Sequence, residues 1–445
     1  MTSPAARELH LNVNLLGGLG AHPGAWRWPA ADPLSFLHVD SYVELAKIAE
    51  RGKLDAVFLA DSPGLVQDIT ELPPYNGIEP TITLTAVARA TERIGMVGTA
   101  STTYNEPYNV ARRWLSLDTV SGGRLAWNAV TTYNSISSRN FGGSEPTREE
   151  RYARGNEFVD VVRALWQSWD ENALIVDTAT GHFADPGRIR PIGHEGVHFT
   201  VNGSLTLPAS PQGYPLILQA GGGIEGRHLA ARTADVVFSA PIDLPDALSY
   251  AQALRELTAD YGRDPSWIRI TPGLRTFIGG TEEEALRRKE SLDDLADRAG
   301  AVHALAAALG TDPALLALDR PVPGHVLADL PTDIDDSQHL QHIAIRMART
   351  GKTVRELINR GAGAGLVAVG APEQIADTIQ FWYESGAVDG FNVMPDVLAD
   401  GLPAFVDQVV PILQRRGLFR TEYRGTTLRE HYGLPVPSGR QLAAH

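Results

Sequence analysis

The alternation of short apolar segments with longer amphipathic segments constrains the fold of this chain most strongly. Eight segments have the length and apolar character of buried strands, and helical patterns lie between them. The predicted strands are Leu9–Leu16, Ala56–Ala60, Ile94–Ala100, Leu125–Val130, Leu216–Ala220, Val236–Ala240, Ile268–Ile278 and Gly390–Met394. The predicted helices are Val39–Arg51, Thr83–Thr91, Pro107–Val120, Arg151–Trp169, Gly226–Thr233, Pro245–Tyr261, Glu282–Leu309, Pro372–Ser385 and Phe405–Arg416. Eight successive β–α units predict a closed parallel (β/α)8 barrel.

The domain organisation follows from the same pattern. We expect residues 1–445 to form a single barrel domain with insertions at about 171–213 and 310–370 and a C-terminal extension at 417–445. Long connections of this kind are usually functional covers or contacts between subunits. A doubly wound sheet is the alternative fold, but the G-x-G-x-x-G turn that would follow its first strand is missing.

The composition excludes several classes of function. The chain has 445 residues, a formal net charge of -14 and no cysteine. The acidic balance argues against nucleic-acid binding, and the lack of cysteine excludes disulfides, thiolate metal sites and a cysteine nucleophile. We predict no metal site, because the spacing of His182, His194 and His198 does not favour convergence. With neither a signal peptide nor an apolar run of about 18 residues, we expect a soluble, cytoplasmic protein.

Polar side chains follow the fourth predicted strand at its carboxyl end. The segment Trp127–Tyr133 passes from an apolar strand into amide and hydroxyl groups, and Arg139–Gly142 follows it. Similar polar groups end the second and third strands, at Asp61 and at Ser101 with Thr102. Because α/β barrels carry their active sites at the carboxyl ends of the strands, these residues predict the functional end of the barrel.

These segments, with Arg148–Tyr152, resemble motifs of the luciferase-like flavin-dependent monooxygenases. The similarity is to the branch of nitrilotriacetate, dibenzothiophene-sulfone and long-chain alkane monooxygenases, and it extends from Leu9 to about Pro437. The resemblance implies a luciferase-like barrel and a two-component enzyme. A separate NAD(P)H:FMN reductase would supply reduced FMN, and a flavin peroxide would transfer one oxygen atom of O2 to a small organic substrate.

The resemblance also implies which residues form the site. The cofactor-binding residues it implies are Asp61, Ser101, Thr102, Asn128, Thr132, Tyr133, Arg148, Tyr152, Ala220, Gly221, Gly222 and Gly223. Arg148 replaces a histidine that is typical of the family, and Gly223 replaces a serine. Candidates for the substrate pocket are His22, Trp26, Tyr75, Asn128 and Tyr133, whereas the catalytic residues and the substrate remain unassigned.

Two other functions stay open from the sequence. One is an oxidoreductase that uses deazaflavin F420 or a tightly held flavin on the same barrel, and the other is a flavin-binding protein without catalysis. Coupled oxygen uptake with free reduced FMN would distinguish the monooxygenase from both. In each case we expect a small-molecule ligand, no nucleic-acid or membrane partner, and a homodimer or homotetramer.

Overall fold

The computed structural model describes residues 7–74, 77–132, 134–143, 145–332, 339–360 and 365–437. The strands are β1 His10–Asn14, β2 Ala56–Leu59, β3 Gly95–Ser101, β4 Leu125–Val130, β5 Leu174–Asp177, β6 His182–Ala184, β7 His194–Glu195, β8 Thr200–Val201, β9 Leu216–Ala220, β10 Val236–Phe238, β11 Arg269–Ile270, β12 Gly273–Ile278, β13 Leu366–Gly370 and β14 Gly390–Pro395. Ten of them form one sheet, in the order β11-β10-β9-β4-β3-β2-β1-β14-β12-β13.

The sheet closes into a ring at the seventh predicted strand. That strand is interrupted at Thr271 and Pro272, which divide it into β11 and β12. Its first half pairs with β10, and its second half pairs in parallel with β14. At the interruption, the Thr271 amide donates to the Val237 carbonyl at 2.9 Å and the Asn392 amide donates to the Pro272 carbonyl at 2.8 Å. The ring is therefore closed, and the predicted (β/α)8 barrel is confirmed.

Helices surround the ring. They are α1 Val39–Arg51, α2 Pro80–Ala90, α3 Pro107–Ser121, α4 Ser135–Asn140, α5 Arg148–Trp166, α6 Ile224–Thr233, α7 Leu244–Asp260, α8 Glu282–Leu295, α9 Arg298–Leu309, α10 Gly324–Asp329, α11 His339–Ala348, α12 Val354–Arg360, α13 Pro372–Glu384, α14 Leu398–Ala404, α15 Val410–Arg415 and α16 Leu428–His431. A π-helical turn, Phe405–Val409, joins α14 to α15.

Several predicted helices begin or end at other residues in the structure. Thr83–Thr91 is Pro80–Ala90, and Phe405–Arg416 is a π-helical turn followed by Val410–Arg415. Two further boundaries are explained by their caps. The single predicted helix Glu282–Leu309 is two helices, because Ala296 is extended and Asp297 begins a new one by accepting from the Gly300 amide at 3.0 Å. Helix α5 begins at Arg148 rather than Arg151, because Thr147 and Glu150 form a reciprocal capping box. The second correction matters for the site, since it places Arg148 in the first turn of a helix.

The interior of the barrel is filled by apolar side chains from alternate strand positions. These side chains include Ala56, Phe58, Val97, Ala126, Leu216, Leu218 and Val236. Leu428 and Tyr432 from the C-terminal extension belong to the same cluster, and a Cβ on Gly95 would lie only 2.3 Å from the Leu428 side chain. The described part of the extension therefore covers the amino-terminal end of the barrel.

The insertions carry their own secondary structure. Residues 171–213 contain two antiparallel pairs, β5 with β6 and β7 with β8. Residues 310–370 contain α10, α11, α12 and β13, and this last strand pairs with β12. The helices of this region pack with α9 around a separate apolar cluster that includes Leu305, Val326, Ile345 and Leu357. They thus form a layer beside the carboxyl end of the barrel.

Candidate functional site at the carboxyl end of the barrel

The ends of β3 and β4 bring polar groups together at the mouth of the barrel. The Ser101 hydroxyl accepts from the Thr103 amide at 3.1 Å, and the Thr102 amide donates to the Val130 carbonyl at 2.8 Å. The Thr103 hydroxyl in turn donates to the Thr132 carbonyl at 3.3 Å. These bonds fix the backbone of both strand ends and hold the loops that follow them.

Asn128 is the most distinctive polar group of this mouth. Its amide nitrogen donates to the Thr99 hydroxyl at 2.9 Å, and its side chain is buried. Its Oδ1 is also buried and has no hydrogen-bond partner among the described residues. A buried acceptor without a partner is costly, so this oxygen is suited to a donor supplied by a ligand.

Asp61 lies just beyond the end of β2 and is partly buried. Burial raises the pKa of its carboxyl group to about 6, and the nearby negative charge of Glu79 acts in the same direction. A hydrogen bond from the Ser62 backbone acts in the opposite direction. The fold therefore keeps a carboxyl group at the barrel mouth where it changes charge near neutral pH.

A second group of predicted residues meets where α5 and α6 begin. Arg148 in the first turn of α5 forms an ion pair with Glu225 in the first turn of α6. Its Nη1 is buried and has no hydrogen-bond partner in the described part of the chain. Tyr152, one turn further along α5, lies with its ring 5.9 Å below the Arg148 guanidinium. We refer to these residues, with the turn Gly221–Gly223, as the anion corner.

The turn Gly221–Gly223 connects β9, which ends at Ala220, to α6. A Cβ on Gly221 would lie 2.5 Å from Gln219 Nε2 and 3.4 Å from the Tyr152 hydroxyl, so a larger residue would displace its neighbours. Gly223 caps α6 without a side-chain hydrogen bond, and its ψ of 171° is extended. The first amides of a ten-residue helix are consequently available to an anion at this corner.

The sequence did not indicate three residues at the anion corner, Glu225, Arg227 and Tyr250. Tyr250 on α7 has a buried hydroxyl that lacks a hydrogen-bond partner among the described residues, and burial raises its pKa. Arg227, in the second turn of α6, lies close enough to oppose that rise electrostatically. Arg227 could have been predicted from the sequence. It follows Gly223 by four residues, and helical periodicity places such a residue near the start of the helix. No local pattern marked Tyr250.

These groups fit a flavin mononucleotide. Phosphate requires charge and hydrogen-bond donors, and the anion corner offers the buried Arg148 Nη1, the Tyr250 hydroxyl and helix amides. An isoalloxazine ring requires neutral donors and acceptors, and Asn128 offers a buried acceptor that has no partner among the residues the structure describes. The turn at Gly221 also leaves no room for side chains, as a close backbone approach requires.

A cavity of about 380 Å³ opens between the barrel mouth and the layer of insertion helices. His22 and Pro23 from the loop after β1 and Arg275 from β12 form its barrel side. The opposite wall is mostly apolar and consists of side chains from α9, α11 and α12, including Leu305, Ile343, Met347, Leu357 and Ile358. The volume is typical of a small-molecule site.

His22 lines this cavity, but both of its ring nitrogens are engaged. Nε2 lies 3.1 Å from Asp293 Oδ1, and Nδ1 accepts from the Gly24 amide at 3.0 Å. Since Nδ1 is an acceptor, Nε2 carries the proton and donates it to Asp293. Burial lowers the pKa of His22 and keeps the ring neutral, although the hydrogen bond to Asp293 acts to raise that pKa. His22 thus connects the loop after β1 to the last turn of α8.

The other pocket candidates are less directly placed. Trp26 is partly buried and lies outside the lining of the 380 Å³ cavity. Asn128 lies at the barrel mouth rather than in that lining. Tyr75 and Tyr133 fall outside the described residues. Their assignment to the site therefore stays a prediction.

In the part of the chain that the structure describes, no helix combines the length and the apolar character that crossing a bilayer demands.

Comparison with known proteins places these features in a family. The model of the luciferase-like monooxygenases matches residues 19–389. N-acetyl-S-(2-succino)cysteine monooxygenase of Bacillus subtilis (strain 168) is 42% identical over 98% of this chain and 98% of its own length. Component A of nitrilotriacetate monooxygenase from Aminobacter aminovorans is 40% identical over 94% of this chain and 95% of its own.

A solved structure agrees with the sequence comparisons. EDTA monooxygenase from Chelativorans sp. BNC1 superposes with a TM-score of 0.85 and 32% identity, covering 97% of this chain and 100% of that one. The shared barrel, the nearly complete coverage and the family match lead to one conclusion. The chain belongs to the luciferase-like monooxygenase family.

Proposed function

We propose that this protein is a monooxygenase that takes reduced FMN as a cosubstrate and uses O2 to oxygenate a small organic substrate. The observation that carries the proposal is the anion corner. There a buried nitrogen of Arg148 and the buried hydroxyl of Tyr250 lack hydrogen-bond partners in the described part of the chain, beside a glycine turn and a helix start. Such a group of donors is suited to a phosphate. Relatives that cover nearly the whole chain are named as monooxygenases.

In this proposal the two polar groups of the site hold different parts of FMN. The anion corner holds the phosphate through Arg148, Tyr152 and the backbone of Gly221–Gly223. The barrel mouth holds the ring through the remaining predicted contacts, which are Asp61, Ser101, Thr102, Asn128, Thr132, Tyr133 and Ala220. Both regions lie at the carboxyl end of the strands, where barrels carry their ligands.

When bound, reduced FMN supplies the electrons that activate O2, so that one oxygen atom enters the substrate and the other leaves as water. The chain itself binds, orients and excludes water. The apolar wall of the insertion, with Leu305 and Met347, restricts solvent at the cavity. Asp293 on α8 links that wall to the barrel, because it lies 3.1 Å from His22 Nε2 and accepts from Asn359 Nδ2 on α12 at 2.7 Å. No strong base is required, which agrees with the neutral state of His22.

The proposed partner is a separate NAD(P)H:FMN reductase. No G-x-G-x-x-G turn for a nicotinamide dinucleotide follows the first strand, so in this proposal another protein supplies the reduced flavin. The nitrilotriacetate relative is named as one component of its enzyme, and pristinamycin IIA synthase of Streptomyces pristinaespiralis is named with two subunits, both of which are similar to this chain. Dependence on an NAD(P)H-driven reductase favours the cytoplasm as the site of action.

A second copy of this chain is the other proposed partner, in a homodimer or homotetramer. The hairpin β5–β6 and the neighbouring turn expose large apolar side chains, with Ile175 52%, Phe183 65% and Val197 92% exposed. Exposed apolar groups concentrated in one insertion favour contact with another protein surface. We also propose that residues 1–445 act as one barrel domain.

The proposal is tested by supplying reduced flavin in two ways. We expect the isolated chain to consume no O2 with NADH and FMN alone, and to consume it once any free-FMN reductase is added. Reductase without this chain measures the background of free flavin oxidation. Robust NADH-dependent turnover by the chain alone would contradict the two-component proposal. Anaerobic turnover of a substrate would instead favour the oxidoreductase alternative.

A further inference from the structure

The insertion side of the 380 Å³ cavity is an apolar wall. Helix α9 contributes Ala301, Ala304, Leu305 and Ala308, whose spacing of three and four residues puts them on one side of the helix. The lining residues from α11 and α12 are also apolar, apart from Asn359. The polar and charged groups of the remaining lining then decide which chemical class the cavity accepts.

The polar groups next to this wall bind one another. His22 Nε2 lies 3.1 Å from Asp293 Oδ1, and Asp293 Oδ2 accepts from Lys289 Nζ at 2.6 Å and from Asn359 Nδ2 at 2.7 Å. Burial opposes the ionisation of Asp293, but the hydrogen bonds from His22 and Lys289 and the Lys289 charge outweigh it and lower the pKa. The negative charge of Asp293 is therefore balanced within the protein.

The charged groups at the rim are engaged with the protein or exposed to solvent. Asp297 accepts from the Gly300 amide at 3.0 Å with both oxygens. Arg298 is partly exposed and forms an ion pair with Asp294. The two remaining carboxylates, Asp68 and Glu71, are exposed. Because water screens exposed charges, the rim contributes little fixed charge to the interior of the cavity.

Arg275 is the remaining charged group of the lining. It is 7% exposed and lies within β12, between Val367 and Met394 of the flanking strands. It already interacts with another group of the protein, so it is not a free binding site for an anion. The described lining therefore combines an apolar wall with charges that are engaged or exposed.

We infer that this cavity takes uncharged, largely apolar substrates, whose apolar bodies lie against the insertion helices. The inference rests on the proposed function, because it names the substrate class of the same site. A charged group that leaves water for this cavity pays a desolvation cost, and no unengaged counter-charge in the described lining offsets that cost. An apolar group instead gains free energy in proportion to the area that it buries.

The test compares four phenyl sulfides of similar size. Isobutyl phenyl sulfide is apolar, and (phenylthio)acetamide is polar but uncharged. At neutral pH (phenylthio)acetate is an anion and 2-(phenylthio)ethylamine is a cation. Each is titrated calorimetrically into the protein, which is loaded anaerobically with reduced FMN. We expect the apolar sulfide to bind at least about 10-fold more tightly than either ion, with the amide between them.

Aspartate substitutions on α9 test whether the apolar wall sets this order. Ala308→Asp places a carboxylate in the lining, so it should weaken binding of the apolar sulfide and strengthen binding of the cation several-fold. Ala307→Asp is the matched control, because Ala307 is exposed and lies outside the lining, and it should leave the order unchanged. Thermal unfolding checks that each variant folds. Ala304→Asp, at an exposed position of the lining, gives the same test if Ala308→Asp does not fold.

Four outcomes would each overturn the inference. They are binding of either ion as tight as that of the apolar sulfide, no binding of that sulfide, an unchanged order in the lining variant, and an equal effect of Ala307→Asp. Binding of reduced FMN is measured in the same samples. If FMN binds while the apolar sulfide is not preferred, only the inference fails. If FMN does not bind, the proposed function fails.

Discussion

The two ends of β2 carry aspartates whose pKa values are shifted in opposite directions. Asp55 precedes the strand at the closed end of the barrel, and Asp61 follows it at the open end. The pKa of Asp55 is lowered to about 2, whereas that of Asp61 is raised to about 6. Both carboxyl groups are shielded from water, so burial alone does not explain the difference.

The groups around each carboxylate explain the opposite pKa shifts of Asp55 and Asp61. Burial opposes the ionisation of Asp55, but the buried Arg420 forms an ion pair with it, His10 Nδ1 lies 3.2 Å away and the Leu11 amide donates at 2.7 Å. Asp61 instead lies near a second carboxylate, Glu79, which disfavours its charge. At the closed end, the carboxylate of Asp55 therefore stabilises the fold. At the open end, the charged carboxylate of Asp61 destabilises it.

Buried polar groups occur at both ends of the barrel. At the closed end, the Tyr432 hydroxyl donates to Asn12 Oδ1 at 2.7 Å, and burial lowers the pKa of His431 to about 4, so that this ring stays neutral. Asn12 Nδ2 and both ring nitrogens of His431 are buried without a hydrogen-bond partner among the described residues, as are Asn128 Oδ1, Arg148 Nη1 and the Tyr250 hydroxyl at the open end. The contrast between the two ends therefore rests on the paired carboxylate of Asp55 and the raised pKa of Asp61, and it agrees with the usual placement of ligands at the open end of (β/α)8 barrels.

The largest expected effect is at the closed end. Asp55→Asn leaves the Arg420 guanidinium buried without its counter-ion, and we expect unfolding free energy to fall by about 3–5 kcal/mol. Because the folded pKa is below the ordinary value of 3.8, the contribution of Asp55 is complete above about pH 4 and disappears as the pH falls toward 2. Denaturant unfolding at pH 7 and pH 3 measures both effects. Unchanged stability of the variant at pH 7 would contradict the stabilising role of Asp55.

The next effect is on ligand affinity at the open end. Arg148→Gln removes the charge of the anion corner, and we expect reduced FMN to bind about 10–150-fold more weakly, from the roughly 1.5–3 kcal/mol of a charge-assisted contact. Riboflavin, which lacks the phosphate, should bind equally to native and variant protein. Anaerobic fluorescence titration gives both affinities.

Glu225→Gln provides the opposite control for Arg148. It keeps a hydrogen-bonding partner for the arginine but removes a negative charge from the corner, so FMN should bind several-fold more tightly while riboflavin is unaffected. Tyr152→Phe should weaken FMN binding without unfolding the protein. Equal losses for FMN and riboflavin in Arg148→Gln would remove the phosphate assignment.

The smallest expected effect is a gain in stability. Asp61→Asn removes a carboxyl group whose folded pKa is above its ordinary value. The cost of its charge is absent below about pH 4, develops as the pH rises toward 6, and is complete above that. We expect the variant to be more stable by about 1–3 kcal/mol at pH 7 and equal to the native protein at pH 4. Glu79→Gln should reproduce part of the gain.

Most of the fold followed from the sequence because its signals are local. The eight predicted strands coincide with the barrel strands, since strands buried on both faces read as apolar runs. The division of Glu282–Leu309 was missed because Asp297 caps a helix within an otherwise continuous helical pattern. The role of the C-terminal extension was also missed, since the fit of Leu428 against Gly95 is a contact across the whole chain.

The site was less predictable than the fold. Residues at strand ends, such as Asn128, could be predicted as site candidates because their position alone marks the functional end of a barrel. Tyr250 and Glu225 lie on the outer helices and reach the anion corner only through tertiary packing. Arg275, which lines the 380 Å³ cavity, carried a signal that was overlooked, because a charged residue within an apolar strand is rarely buried without a partner.

The contrast between the two ends is tested most directly by hydrogen exchange with and without reduced FMN under anaerobic conditions. We expect reduced FMN to protect residues 101–104, 128–132, 148–156 and 221–228 from exchange and to leave exchange in residues 417–437 unchanged. Reduced riboflavin should protect the barrel mouth but not residues 148–156. Protection confined to the C-terminal extension, or none at the carboxyl ends of the strands, would contradict it.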